Sequence, residues 1–267
     1  MTDRLRDKVA LVVGAGSVGE GLGNGKAAAM LFAREGAKIF AVDVDSDAAA
    51  ETKAIIECEG GICATHQADA TSAASVAAMV AACLARFERI DILHNNVGGS
   101  VPGGPVDMGE EAWDANIDLN LKTVFLSCKF VIPVMERQGG GAIVNISSVA
   151  GLRSMGGRAM VAYQASKAGL IQFSRAVAIQ YAKAGIRSNC VVPGLMNTPL
   201  VAHRIVGQYG GGKLAETIAQ RDAMCPTGKM GDAWDVAYAA LYLASDEAKY
   251  VTATEILVDG GLTAKCD

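Results

Sequence analysis

Tyr163 and Lys167 stand four residues apart in the run Tyr163-Gln-Ala-Ser-Lys167. On a helix, residues at that spacing share a face. A free tyrosine titrates near ~10 and is a poor acid or base at neutral pH. A lysine ammonium beside it favours the phenolate and lowers that pKa. The pair can then shuttle a proton to or from an alcohol or carbonyl oxygen. Taken alone, the spacing is common by chance, and an ordinary helix surface explains it better. Upstream, however, Ala142-Ile-Val-Asn-Ile-Ser-Ser148 reads as a buried strand ending in two hydroxyls. Ser148 is placed to donate to a substrate oxygen as its charge changes.

A second chemistry lies at the start of the chain. The apolar run Val9–Val13 is followed by Gly14-Ala-Gly-Ser-Val-Gly-Glu-Gly-Leu-Gly-Asn-Gly25. Gly14, Gly16 and Gly19 fit G-x-G-x-x-G, in which glycines let backbone amides approach a pyrophosphate. Gly19, Gly21, Gly23 and Gly25 recur at every second position, and each costs ~1 kcal/mol relative to Ala inside a helix. The helix is therefore expected to start near Asn24, after a long loop. A P-loop is disfavoured, because Glu20 and Ala27 occupy two of its defined positions. The next apolar run, Lys38–Val42, ends at Asp43. A carboxylate there accepts hydrogen bonds from ribose hydroxyls and repels a 2′-phosphate.

The elements that must position these groups alternate along the chain. Strands are predicted at Val9–Val13, Lys38–Val42, Gly61–His66, Ile90–His94, Ala142–Ile146, Ser188–Val192 and Glu255–Val258. Helices are predicted at Gly25–Glu35, closed by Gly36, and at Ser46–Glu59, with Ser46 as N-cap. Further helices are expected at Ser72–Phe87, Glu110–Arg137, Val161–Ala182 and Asp232–Ala244. Pro133 predicts a kink or break in the longest of them. Residues 199–231 read ambiguously. This alternation implies an α/β fold: one doubly wound Rossmann domain over 1–267, with a mostly parallel seven-stranded sheet and helices on both faces. Ligands in such sheets lie beyond the carboxyl ends of the strands.

Composition narrows the classes. Of 267 residues, 51% are apolar and 19% charged, which excludes a disordered chain. The net charge of −4, with no basic run, argues against nucleic acid or an anionic membrane as partner. Seven scattered cysteines without C-x-x-C read as small core residues, not as a disulfide scaffold or zinc site. His66, His94 and His203 lie far apart, so no metal site is expected. No apolar run approaches the ~18 residues of a membrane helix, and Val9–Val13 is too short for a signal-peptide core. A soluble, cytoplasmic protein is expected.

Other segments recur at predicted strand ends: Asp91-Ile-Leu-His-Asn-Asn-Val-Gly98, Val191-Val-Pro-Gly-Leu-Met-Asn-Thr198 and Ile256-Leu-Val-Asp-Gly-Gly261, with Asn120 on the helix after the fourth strand. With N-N-x-G, S-S, Y-x-x-x-K and P-G-x-x-x-T in order, the chain resembles the short-chain dehydrogenase/reductase family from Lys8 to about Thr263. The resemblance implies an NAD(P)-dependent oxidoreductase acting on a small-molecule alcohol or ketone. Tyr163 would carry the proton, Lys167 would bind the nicotinamide ribose, Ser148 rather than Ser147 would polarise the substrate oxygen, and Asn120 would hold a relay water. Asp69 and Ala70 would meet the adenine. Asn96, Gly98, Pro193 and Gly194 would line the cofactor cleft, Met196 would meet the carboxamide and Thr198 the carboxamide or pyrophosphate. A homotetramer is the implied assembly.

Two departures from the family pattern matter. The family's G-x-x-x-G-x-G maps best onto Gly14, Gly23 and Gly25, an apparent insertion that makes Ser17, Val18, Leu22 and Asn24 candidate phosphate contacts. Val97 stands where Ala is usual. On the substrate side, Leu152, Met155 and Met160 suggest an adaptable apolar wall. Arg153 and Arg158 are candidate anion binders, with a surface role the simpler reading. Residues 199–225 read as a lid hinged at Gly207–Gly212, from which His203 and Tyr209 are candidates to reach substrate. The leading expectation is NAD-dependent interconversion of a secondary alcohol and a ketone, with NAD preferred over NADP through Asp43. Alternatives are a 3-oxoacyl thioester reductase, a cis-dihydrodiol or hydroxysteroid dehydrogenase, and an inactive cofactor-sensing binder.

Overall fold

The computed structural model describes residues 3–154, 159–208 and 213–266. Its strands are β1 (Val9–Val13), β2 (Lys38–Asp43), β3 (Cys63–Gln67), β4 (Ile92–Asn95), β5 (Gly141–Ile146), β6 (Ile186–Pro193) and β7 (Glu255–Val258). They form one parallel sheet in the order β3-β2-β1-β4-β5-β6-β7. From β1 the chain winds outward to β3, then returns to lay β4 on the other side of β1. The carboxyl ends of β1 and β4 thus flank the crevice where such sheets bind ligands.

Alternate strand residues feed two cores, because successive side chains point to opposite faces. Ala10, Val12, Ile39 and Val144 pack under α1 (Asn24–Arg34), α2 (Ser46–Cys58) and α9 (Ala233–Ala244). Val9, Leu11, Val13 and Ile143 pack under α3 (Ala73–Phe87), α5 (Thr123–Gln138) and α6 (Val161–Tyr181). Strands buried on both faces read as continuous apolar runs, which is why β1 and β5 stood out in the sequence.

The corrections are local. Asp45, not Ser46, caps α2, its side chain accepting from the Asp47 and Ala48 amides. β3 begins at Cys63, where pairing with Ile39 begins. The expected helix Glu110–Arg137 is α4 (Glu110–Ile117), a π-helical turn at Asp118–Lys122, and α5. Pro133 does not break α5. It is exposed, as is Lys129, so the carbonyl deprived of its amide partner faces water. Residues of the ambiguous stretch form a π-helical turn at Val201–Ile205, the short α7 (Val206–Gln208) and α8 (Leu214–Met224). No described helix is long and apolar enough to cross a membrane.

Candidate active site

A cleft of about 640 Å³ opens at the carboxyl ends of the central strands. One wall is the end of β5 packed on α6. There the two serine hydroxyls point different ways. Ser147 is buried, and its Oγ donates to the Lys167 carbonyl at 2.9 Å. Ser148 is half-buried on the cleft; its Oγ accepts from the Ala150 amide at 3.2 Å and is hydrogen-bonded to the Tyr163 hydroxyl. The helical register of α6 sets Tyr163 and Lys167 on one face, and the lysine Nζ lies 5.9 Å from the tyrosine ring centroid.

Lys167 is buried, and its Nζ donates to the Ile146 carbonyl at 2.9 Å. Loss of water pushes its pKa down to about 8. Burial also pushes the Tyr163 phenol above its ordinary value, and the bond to Ser148 works in the opposite direction. The lowering that the sequence leads one to expect from Lys167 is not among the causes of this shift; removal of water is the largest of them.

Asn120 does not line the cleft. It sits fully buried on the π-helical turn. Its carboxamide accepts from the Gly99 amide at 3.0 Å, and donates to the Gly99 carbonyl at 2.8 Å and the Asn116 carbonyl at 2.9 Å. Its side chain thus clamps the loop after β4. A Cβ at Gly98 would lie 2.8 Å from Asn120 Oδ1 and 3.0 Å from Lys167 Nζ, so glycine lets these two close on the loop.

The other arm of the cleft runs along the glycine loop. The helix starts at Asn24 with Gly23 as N-cap. A Cβ at Gly25 would lie 1.9 Å from the Gly14 carbonyl oxygen, so this crossing requires glycine. Gly14, Ser17, Val18, Gly23 and Asn24 line the cleft, while Leu22 lies outside it. Ser17 Oγ and Asn24 Oδ1 are buried without a hydrogen-bond partner among the described residues. Gly19 faces the π-helical turn Val201–Ile205 instead: a Cβ there would meet His203 Nε2 at 2.0 Å. Asp43 lines the cleft and accepts from the Gly16 amide at 2.8 Å and the Asp45 amide at 3.2 Å. Lys26, the basic residue just past the glycine loop in sequence, is buried and paired to Glu51 at 2.6 Å, and is not part of the cleft lining. Asp69 and Ala70 lie on the same arm, and two bonds from Thr71 hold the Asp69 carboxyl below its usual range. Asn96, Gly98, Pro193, Gly194, Met196 and Thr198 line the cleft between the arms.

On the substrate side, Met160 lines the cleft. Leu152 and Arg153 are exposed and outside it, because the 3₁₀ turn after Ser148 carries them away. His203 packs on the glycine loop and is not part of the lining. Met155, Arg158, Tyr209 and most of the expected hinge lie outside the described residues. Sequence reasoning missed Leu119, Leu200, Arg204, Arg221 and Met224, all of which line the cleft.

The comparisons agree with this architecture. Residues 19–263 match the model of a family described as enoyl-(acyl carrier protein) reductase. The chain is 37% identical over 261 residues to the 2,5-dichloro-2,5-cyclohexadiene-1,4-diol dehydrogenase of Sphingobium indicum, covering 98% of each chain. It is 34% identical to the cyclohexanol dehydrogenase of an Acinetobacter species, covering 99% of this chain and 98% of that one. A crystal structure of a putative short-chain dehydrogenase/reductase from Burkholderia xenovorans superposes with a TM-score of 0.94 at 51% identity, covering 99% of both chains.

Proposed function

We propose, for a chain that belongs to the short-chain dehydrogenase/reductase family, NAD-dependent interconversion of a secondary alcohol and its ketone. The family's dehydrogenases use nicotinamide cofactors. The observation that carries the reading is the Ser148–Tyr163–Lys167 wall at the foot of a cleft whose far arm ends in Asp43.

The cleft fits the cofactor. Ser17 Oγ and Asn24 Oδ1 are polar atoms buried without partners among the described residues, in a loop where Gly14 and Gly25 cross too closely for any side chain. They would face the pyrophosphate, Asp43 the adenosine ribose, and Asp69 with Ala70 the adenine. Asp43 keeps lone pairs beyond the two amides it already holds, and among the described residues no cation is paired with it to offset a 2′-phosphate. When bound, the nicotinamide supplies the hydride acceptor or donor.

The chain's own residues handle the proton. Tyr163 Oη takes it from the substrate hydroxyl in oxidation and returns it in reduction. Ser148 Oγ holds the same oxygen and donates to it as charge develops. The Lys167 ammonium stabilises the phenolate across the ring and orients the nicotinamide ribose. Asn120 acts as a positioning residue, fixing Gly98 and Gly99. Residues 199–225 act as the lid over the substrate. The names of the relatives favour a cyclic alcohol, and the protein is expected to assemble as a homotetramer in the cytoplasm. A panel of cyclic secondary alcohols, assayed with NAD and with NADP, tests the proposal. NADH formation with a preference for NAD supports it; binding of NADH without turnover on any alcohol sinks it.

A further inference from the structure

Arg221 is 8% exposed, yet it lines the substrate end of the cleft. Its Nε donates to the Met230 thioether at 3.2 Å. A thioether is a weak acceptor, and a guanidinium carries five donors. Among the described residues Arg221 has no ion pair. The neighbouring carboxylates are used elsewhere. Asp222 accepts from the Met230 amide at 2.8 Å, and Asp259 accepts from Gly261 and Thr263. Burying a charge without a partner is costly, so such a group implies a partner that arrives.

A second guanidinium faces the same space. Arg204, on the lid's π-helical turn, also lines the cleft and has no ion pair among the described residues. Its Nη1 lies 2.7 Å from where a Cβ on Gly99 would stand, so it reaches the loop that Asn120 clamps beside Lys167. Leu200, Val201, Ile205 and Met224 complete this part of the lining. Among the described residues the result is an apolar chamber carrying two positive charges, while the cleft's own carboxylates, Asp43, Asp45 and Asp69, belong to its other arm. A planar fork of donors matches a carboxylate bidentately.

We infer that the substrate is a secondary alcohol, or its ketone, that carries a carboxylate, held by Arg221 together with Arg204. This deepens the dehydrogenase reading and rests on it.

The test is isothermal titration of the chain, alone and loaded with NADH, with cyclohexanecarboxylate and with cyclohexanol. Hydrogen bonds to a charged group support a ~10–100-fold tighter affinity for the carboxylate. Arg221→Met, which keeps length and apolarity beside Met230, is expected to abolish that difference. Arg221→Lys retains part of it, and Arg204→Ala, at an exposed position, reduces it. Should Arg221→Met fail to fold, the Lys and Arg204 variants decide alone. Equal affinity for the two ligands in the unmodified chain overturns the proposal. So does an Arg221 variant that weakens NADH as much as the carboxylate, because the guanidinium would then serve the cofactor's phosphates. Failure of NADH to bind sinks the dehydrogenase reading instead, and titration of the chain alone still decides the anion site.

Discussion

On the β5–α6 wall of the cleft, the polar groups hold one another. Ser147 bonds the Lys167 carbonyl, Lys167 bonds the Ile146 carbonyl, and Ser148 bonds Tyr163. On the lid side, Arg221 has a thioether and Arg204 has no ion partner among the described residues. The first wall is pre-organised, so its geometry is set before any ligand enters. The second holds donors in reserve, so its energetics are settled only when something binds. The difference separates a wall set by a strand end and a helix from one whose charges, on the reading proposed above, would select the substrate.

The sharpest way to break that contrast is at Tyr163. Tyr163→Phe removes the proton carrier and keeps the ring, so kcat is expected to fall by ~10²–10⁴-fold, the usual worth of a positioned acid or base. The affinity for NADH, read by fluorescence titration, should change little. A variant keeping more than about a tenth of kcat would contradict that role.

The two serines form a smaller, internal contrast. Ser148→Ala should lower kcat with little change in stability. Ser147→Ala should instead lower stability by ~0.5–1.5 kcal/mol, since the Lys167 carbonyl loses its second donor and keeps only its helical partner. Denaturant melts and initial rates on both variants separate the two effects, and a rate defect confined to Ser147→Ala would reverse the assignment.

At the far arm, kcat/KM with NAD should exceed that with NADP by ~10–100-fold, or ~1.4–2.7 kcal/mol. Asp43→Ser with Val44→Arg should narrow or reverse the ratio. Equal efficiency in the unmodified enzyme would show that the ribose lies elsewhere.

The smallest effect carries a pH signature. Lys167 has a folded pKa of about 8 against an ordinary 10.5, so the unfolded chain binds the proton more tightly. Its charge therefore opposes folding below about pH 8, and the penalty fades as pH rises towards the ordinary value. Lys167→Met should slow turnover and weaken NADH, yet raise stability at neutral pH by ~1–2 kcal/mol once the lost Ile146 bond is offset. Melts across alkaline pH should show the gain shrinking; a gain constant with pH would point to packing instead.

Much of the reaction wall was legible in the sequence, because strand burial and helix register are local rules. Val9–Val13 and Glu255–Val258 read as strands at the observed bounds. The doubled alternation of glycines placed the start of α1 near Asn24, where it lies. Asn120 was found, but its orientation was not, since the π-helical turn that buries it has no sequence signature. The lid was harder still. Its helix Leu214–Met224 has no side-chain N-cap and carries charged residues among apolar ones, so nothing marked Arg221 as buried. That burial comes from Met230 and neighbours distant in sequence, which a reading by period cannot supply.

The central claim is that this wall moves a hydride's companion proton, whatever the lid admits. It is tested most directly by following the hydrogen itself. The secondary alcohol oxidised fastest is supplied with deuterium at its carbinol carbon, and the reduced cofactor is recovered for mass spectrometry. The account predicts that the deuterium appears in NADH formed by the unmodified chain, and that Tyr163→Phe forms almost none. NADH without deuterium, or labelled NADH formed equally fast by the phenylalanine variant, would contradict it.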